Sequence, residues 1–170
     1  LKEKEFDAIL EFLKGNNKAV IEESSISASK YVNTGYNRWY DSEGYPVSRP
    51  PWGTLTAIDM NTAEHLWQIP LGEYPELTER GIPLTGTDNY GGPAVTKGGI
   101  VFIAATKDEV FRAIERKTGK VLWQYKLPAA GYASPSVYAI NGKEYVVIAC
   151  GGGKLKTKSG GKYLAFSLTD

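Results

Sequence analysis

The alternation of apolar and polar positions divides the chain into one helical stretch followed by a series of short strands. Residues 1–14 read LKEKEFDAILEFLK, with apolar side chains at Phe6, Ile9, Leu10, Phe12 and Leu13. That spacing is helical, and acids early with Lys14 late suit the helix dipole. Gly15-Asn16-Asn17 stops the helix. Residues 18–36 alternate at Val20, Ile21, Ile26, Tyr31 and Val32, which predicts one or two short strands. Residues 37–51 read as an ordered loop crowded with Trp39, Tyr40, Tyr45, Pro46, Pro50 and Pro51. A first hairpin is predicted over 55–71, then a long connection over 72–88. A connection of that length in a compact domain is usually functional or covers something. Residues 100–105, IVFIAA, read as a buried central strand. A second hairpin follows, in which 110–116 turn through Lys117-Thr118-Gly119-Lys120 into a return strand over 121–127. Asn141-Gly142 is a strong two-residue hairpin signal, and 145–149 form another buried run.

Two of these stretches are copies of one another. Ala57-Ile58-Asp59-Met60-Asn61-Thr62-Ala63-Glu64-His65-Leu66-Trp67 and Ala113-Ile114-Glu115-Arg116-Lys117-Thr118-Gly119-Lys120-Val121-Leu122-Trp123 agree at Ala, Ile, Thr, Leu and Trp. The shift is about 56 residues, and Gln68 and Gln124 extend the match. Residues 163–168 replay the strand before the turn. A period of this size in a strand-rich chain suits a four-stranded propeller blade with a long loop. A Trp at a fixed place in each unit is suited to seal one unit against the next. The fold expected is therefore all-β: a partial β-propeller of about three four-stranded blades, preceded by a short N-terminal helix. The domain division expected is 1–17 and 18–170. Propellers close with more blades than this, so remaining blades or self-association would cover the open edges.

Composition narrows the function classes. The chain has 170 residues, 42% of them hydrophobic, with a net charge of +1. That charge leaves no footprint for nucleic acid or a membrane surface. Cys150 is the only cysteine, so no internal disulfide forms. No stretch is long and apolar enough to span a bilayer as a helix. No Cys-x-x-Cys-His occurs, so this chain cannot itself attach a haem. His65, the only histidine, stands after a turn with no partner for metal ligation or for a Ser-His-Asp triad. The Gly-rich turns lack Gly-Lys-Ser/Thr, which leaves phosphate binding unsupported. The basic loop 154–162 reads as a solvated loop.

The hairpins carry the pattern Ala-x-Asp-x-x-Thr-Gly-x-x-x-Trp, with Ala63 replacing Gly in the first copy and Glu115 replacing Asp in the second. This resembles the tryptophan-docking motif of the quinoprotein dehydrogenases, eight-bladed propellers that bind pyrroloquinoline quinone (PQQ). Pro50-Pro51-Trp52-Gly53-Thr54-Leu55, Gly91-Gly92-Pro93, Val101-Phe102-Ile103-Ala104-Ala105-Thr106 and Asn141-Gly142-Lys143-Glu144-Tyr145-Val146-Val147-Ile148 look like the C-terminal part of the glucose dehydrogenase branch. The resemblance covers residues 45–170. It implies a periplasmic dehydrogenase that oxidises a sugar or alcohol and passes electrons to a cytochrome or a quinone. It also implies a calcium ion and a catalytic Asp, both held by blades that this chain does not match, so no catalytic or metal residue is assigned here. In some relatives a cytochrome c domain precedes this part, and the helix at 1–14 resembles its last helix, which implies haem c outside this chain.

The resemblance also marks cofactor-wall candidates. Gly151, Gly152 and Gly153 follow a central strand at a stretch that borders the quinone in relatives. There glycines let backbone N–H groups approach carboxylates; the alternative is a plain turn. A His occupies the place of Gly153 in the membrane-bound glucose dehydrogenases, and an Asp the place of Asp108. Lys154 would then meet a quinone carboxylate in place of that His, or stay solvated. Asp108 is a cofactor neighbour or a turn residue. Trp52 contacts the cofactor or the propeller surface. Two other readings stay open: a cofactor-free propeller scaffold for protein–protein interaction in the cell envelope, and a sugar-binding module using Trp39, Tyr40 and Tyr45 as stacking platforms.

Overall fold

The structure is a computed structural model that describes residues 7, 10, 11, 13–15, 33 and 35–168. The chain divides into two compact units, residues 1–38 and 39–170. In the first, Asp7, Leu10, Glu11 and Leu13 are helical, as the spacing predicts. Lys14 N donates to Leu10 O at 3.1 Å, and Gly15 follows at φ +78°. A glycine in the left-handed region is the usual way for a helix to stop. The short strands expected within 18–36 fall almost wholly outside the described residues.

The second unit is a meander of three antiparallel sheets. The first pairs β1 (Thr54–Ile58) with β2 (His65–Pro70). The second runs β3 (Ala94–Val95), β4 (Ile100–Ile103), β5 (Val110–Glu115) and β6 (Val121–Lys126) in that order. The third runs β7 (Ser136–Ile140), β8 (Lys143–Gly152) and β9 (Ser159–Phe166). The partial propeller expected from the repeat is thus present. Its strand count is not uniform: among the described residues only the middle sheet has four strands.

The repeat holds at the level of register. Ala57 pairs with Trp67 and Ile58 with His65, so Leu66 bulges out. Ala113 pairs with Trp123 and Ile114 with Val121, so Leu122 bulges in the same place. Both turns close alike: Ala63 N donates to Asp59 O at 2.7 Å, and Gly119 N to Glu115 O at 2.9 Å. Ala63 sits at φ +59° and Gly119 at φ +74°. Asn141 and Gly142, both left-handed, make the two-residue turn between β7 and β8.

Two apolar layers lie between the sheets. Alternation along β4 sends Val101 and Ile103 to one side, where they pack with Leu71, Ala105 and Ile114. Ala104, just beyond the strand, packs on the other side with Phe111, Leu127, Val146, Ile148 and Cys150, and Phe102 packs against that layer. The long connection contains a helix the pattern does not predict, α1 (Pro75–Glu79). Pro75 starts this single turn and Leu77, 4% exposed, pins it to the body. Five residues with one apolar anchor give no periodic signal to read.

Candidate functional site

The connections β2–β3, β4–β5 and β8–β9 meet around an open groove of about 360 Å³. Tyr74, Lys107, Glu109, Lys126, Lys156 and Thr157 are among its lining residues. The β2–β3 connection is cinched at its base. Thr87 N donates to Leu71 O at 2.9 Å, and Leu71 N to Gly53 O at 2.9 Å. A Cβ at Gly86 would stand 2.1 Å from Gly53 O, so only glycine allows this closure. The segment between is a closed surface loop of the kind that often carries function.

Asp108 is not a simple turn residue. Its side chain is 3% exposed and forms an ion pair with Arg112, whose side chain is 8% exposed. Asp108 Oδ1 also lies 2.5 Å from Thr106 Oγ1 and accepts from Val110 N at 3.2 Å. Arg112 Nη1 donates to Thr106 Oγ1 and to Val110 O, each at 3.1 Å. The carboxylate is saturated within its own turn, so what reaches the groove is the turn it holds. Arg112 itself was readable as a cation inside the apolar run Val110-Phe111-Arg112-Ala113-Ile114.

Lys107, in the same turn, donates to Tyr74 OH at 3.2 Å and lies 5.3 Å from that ring's centroid. Lys154 lies 4.2 Å from the centroid of Tyr90, and Lys156 lies 5.2 Å from that of Tyr40. Lys154, itself exposed, thus rests over an aromatic face. Tyr90 meets Tyr132 edge-on at 6.5 Å. Tyr132 OH lies 3.2 Å from Thr157 Oγ1. Burial pushes the Tyr132 phenol up, the Thr157 hydrogen bond working against it.

The glycine stretch has a backbone task. Gly152 N donates to Ala130 O at 2.9 Å, and Gly153 N to Lys158 O at 3.2 Å. A Cβ at Gly152 would lie 1.8 Å from Lys158 O. Those two amides are spent within the fold, whereas nothing lies within 4 Å of a Cβ added at Gly151.

Trp52 is built into the wall beside the groove. It stacks on Tyr45 at 5.9 Å and meets Tyr74 edge-on at 5.6 Å, and its Nε1 donates to Ser48 O at 2.7 Å. Tyr45 OH donates to Glu76 at 2.9 Å, and Tyr40 OH to Asp88 at 3.2 Å. Of the three aromatics considered as sugar platforms, Tyr40 and Tyr45 are thus engaged within the fold, and Trp39 is 80% exposed. Burial, with the Asp88 carboxylate adding to it, raises the Tyr74 phenol well above its ordinary value of 10.0. Among the described residues no group of three or more His, Cys, Asp and Glu could hold a metal ion, and no helix is long and apolar enough to cross a membrane.

Antiparallel sheets of two, four and three strands, with a repeated Trp hairpin and converging loops, define a β-propeller segment. The comparisons give the family. The model of the glucose/ethanol/alcohol dehydrogenase beta-propeller domain, the PQQ family, matches residues 6–146. The chain is 39% identical over 139 residues to a quinate/shikimate dehydrogenase (quinone) of Acinetobacter baylyi, which covers 78% of this chain and 17% of the relative. It is 46% identical over 120 residues to a glycerol dehydrogenase large subunit of Gluconobacter oxydans, covering 67% and 16%. It is 40% identical over 134 residues to the quinoprotein glucose dehydrogenase of Escherichia coli, covering 75% and 17%. This chain belongs to the PQQ-dependent dehydrogenase β-propeller family. It spans about a sixth of the length of the relatives it matches.

Lysines of the groove offer cations to a cofactor that carries carboxylates, beside Glu73, Glu76 and Glu109, which line it too. Lys107 and Lys156 line the groove with their ammonium groups over tyrosine rings, and Lys154 stands over Tyr90. Asp108 lines the groove as well, with Arg112, Thr106 and Val110 already on its oxygens.

Proposed function

We propose that this chain is the C-terminal wedge of a PQQ-dependent dehydrogenase that oxidises a hydroxyl group of a sugar, polyol or related alcohol. When bound, the quinone accepts the two electrons and the hydrogen removed from the substrate. The chain's own residues supply blades and part of the cofactor wall. Lys154 and Lys107 orient carboxylates, Trp52 and Tyr74 exclude water from one side, and of the glycine stretch Gly151 leaves the backbone open to approach, Gly152 and Gly153 shaping the turn beside it. The observation that carries this reading is the family match, joined to two tyrosine-seated lysines, Lys107 and Lys156, in one groove. The catalytic base, the calcium ion and any haem c belong to other parts of the protein. The helix near residues 7–13 is then the end of an inserted cytochrome c domain, and the acceptor is a cytochrome or a quinone. The location is the periplasm. The remaining blades, or a second copy, cover the unpaired sheet edges.

Reconstitution tests it. The complete protein, loaded with PQQ and calcium, should reduce a dye with glucose, glycerol or quinate, and the isolated 170-residue chain should not. Failure of the complete protein to take up PQQ overturns the reading and returns the cofactor-free scaffold to the lead.

A further inference from the structure

The Asp108–Arg112 pair has no counterpart in the repeat. Arg112 precedes Ala113 and pairs with Ile103 of β4. At the same place Thr56 precedes Ala57 in the first sheet, and Leu164 pairs with Ile148 in the third. The fold therefore accepts a neutral side chain here. A buried ion pair carries a desolvation cost that such residues avoid, so its presence calls for a reason other than stability.

What the pair holds is the β4–β5 turn. Ala105 at φ +57° and Glu109 at φ +56° bound it, two non-glycine residues in the left-handed region. Such conformations persist where the surroundings over-determine them. Lys107 stands at the centre of the turn. Its N donates to Thr87 Oγ1 at 3.2 Å, and its ammonium stands by Tyr74 at the groove.

We propose that Arg112 is a positioning residue: through Asp108 it fixes the β4–β5 turn so that Lys107, standing by Tyr74, meets a carboxylate bound in the groove. That the carboxylate is the quinone's rests on the function proposed above. A polyhydroxy acid substrate is the other source of the same chemistry.

The test uses the complete protein with three changes: Arg112→Leu, the pair Asp108→Leu with Arg112→Leu, and Lys107→Met. Thermal unfolding reads the structural role. Acetylation of Lys107 followed by mass spectrometry, with exposed Lys120 as internal control, reads positioning without any cofactor. Tryptophan fluorescence titrations with PQQ and, separately, with gluconate read the carboxylate. Arg112→Leu alone should lower the unfolding temperature, because it strands the Asp108 carboxylate. The double change should restore that temperature yet leave Lys107 acetylated several-fold faster than in the wild type. Both the double change and Lys107→Met should weaken binding about tenfold or more, the loss of a charge-assisted contact. Weakening confined to PQQ assigns the carboxylate to the cofactor, and weakening confined to gluconate assigns it to the substrate. A double variant with wild-type unfolding and wild-type Lys107 acetylation overturns the positioning role. Undiminished binding of both probes by Lys107→Met overturns the carboxylate contact. If the wild type takes up no PQQ, the quinoprotein reading fails, while acetylation still decides the role of Arg112.

Discussion

Trp67 of the first sheet lies against Gly119 of the second. Its Nε1 donates to Arg116 O at 2.9 Å, and a Cβ at Gly119 would stand 2.8 Å from the indole Cε3. One residue thus supplies the seal and the other the space for it. Gly119→Ala meets both the ring and a left-handed φ of +74°. It should destabilise the protein by about 1–3 kcal/mol. Trp67→Ala should cost more, up to about 3–5 kcal/mol, because the large ring is lost from the interface. Urea unfolding of both variants checks the order.

Ala63 holds the place of Gly119 in the first hairpin, at φ +59° and with a Cβ. Ala63→Gly removes a strained residue from an exposed turn. It should raise stability by roughly 1 kcal/mol. An unchanged or lowered urea midpoint would show that the turn draws nothing from glycine there.

Gly151 and Gly152 should separate cleanly. Gly152→Ala places a Cβ 1.8 Å from Lys158 O, at φ +56°. The β8–β9 loop has to shift, at a cost of about 3 kcal/mol or more. Gly151→Ala meets nothing within 4 Å and should leave the unfolding midpoint within about 0.5 kcal/mol of wild type. Any loss of PQQ affinity in a fully stable Gly151→Ala then reports direct contact with the cofactor.

Alkaline pH should loosen the groove. Burial raises the phenols of Tyr74 and Tyr132 above their ordinary value of 10.0, so the folded state favours the protonated form. Their contribution is complete below that value. It is lost as pH rises through the raised folded values, because only the unfolded chain ionises freely. Tyr74→Phe should move the alkaline unfolding midpoint upward. A midpoint that stays put would place the alkaline transition elsewhere.

The sequence by itself determined the repeat and, with it, the fold. Alternation fixed which residues of β4 enter each layer, because a strand sends neighbours to opposite faces. The Ala…Thr…Trp spacing fixed both hairpins and their turns, since a tight turn and a large sealing ring leave few choices of residue. Asn141-Gly142 named its turn for the same local reason. The site was legible only as positions. That Trp52 and Asp108 lie in loops could be read, whereas Gly151 and Gly152, open to reading as a plain turn, extend β8. What they touch could not be read, because loop contacts join residues far apart in the chain and follow no period. Only the tertiary structure put Lys107 beside Tyr74, seated Lys154 on Tyr90, and turned Asp108 inward to Arg112. It also folded α1 into a connection with a single apolar anchor, Leu77. Hydrophobic patterning encodes burial against a regular lattice of neighbours. Which cation meets which ring or carboxylate is set when separate loops arrive at the same end of the sheets.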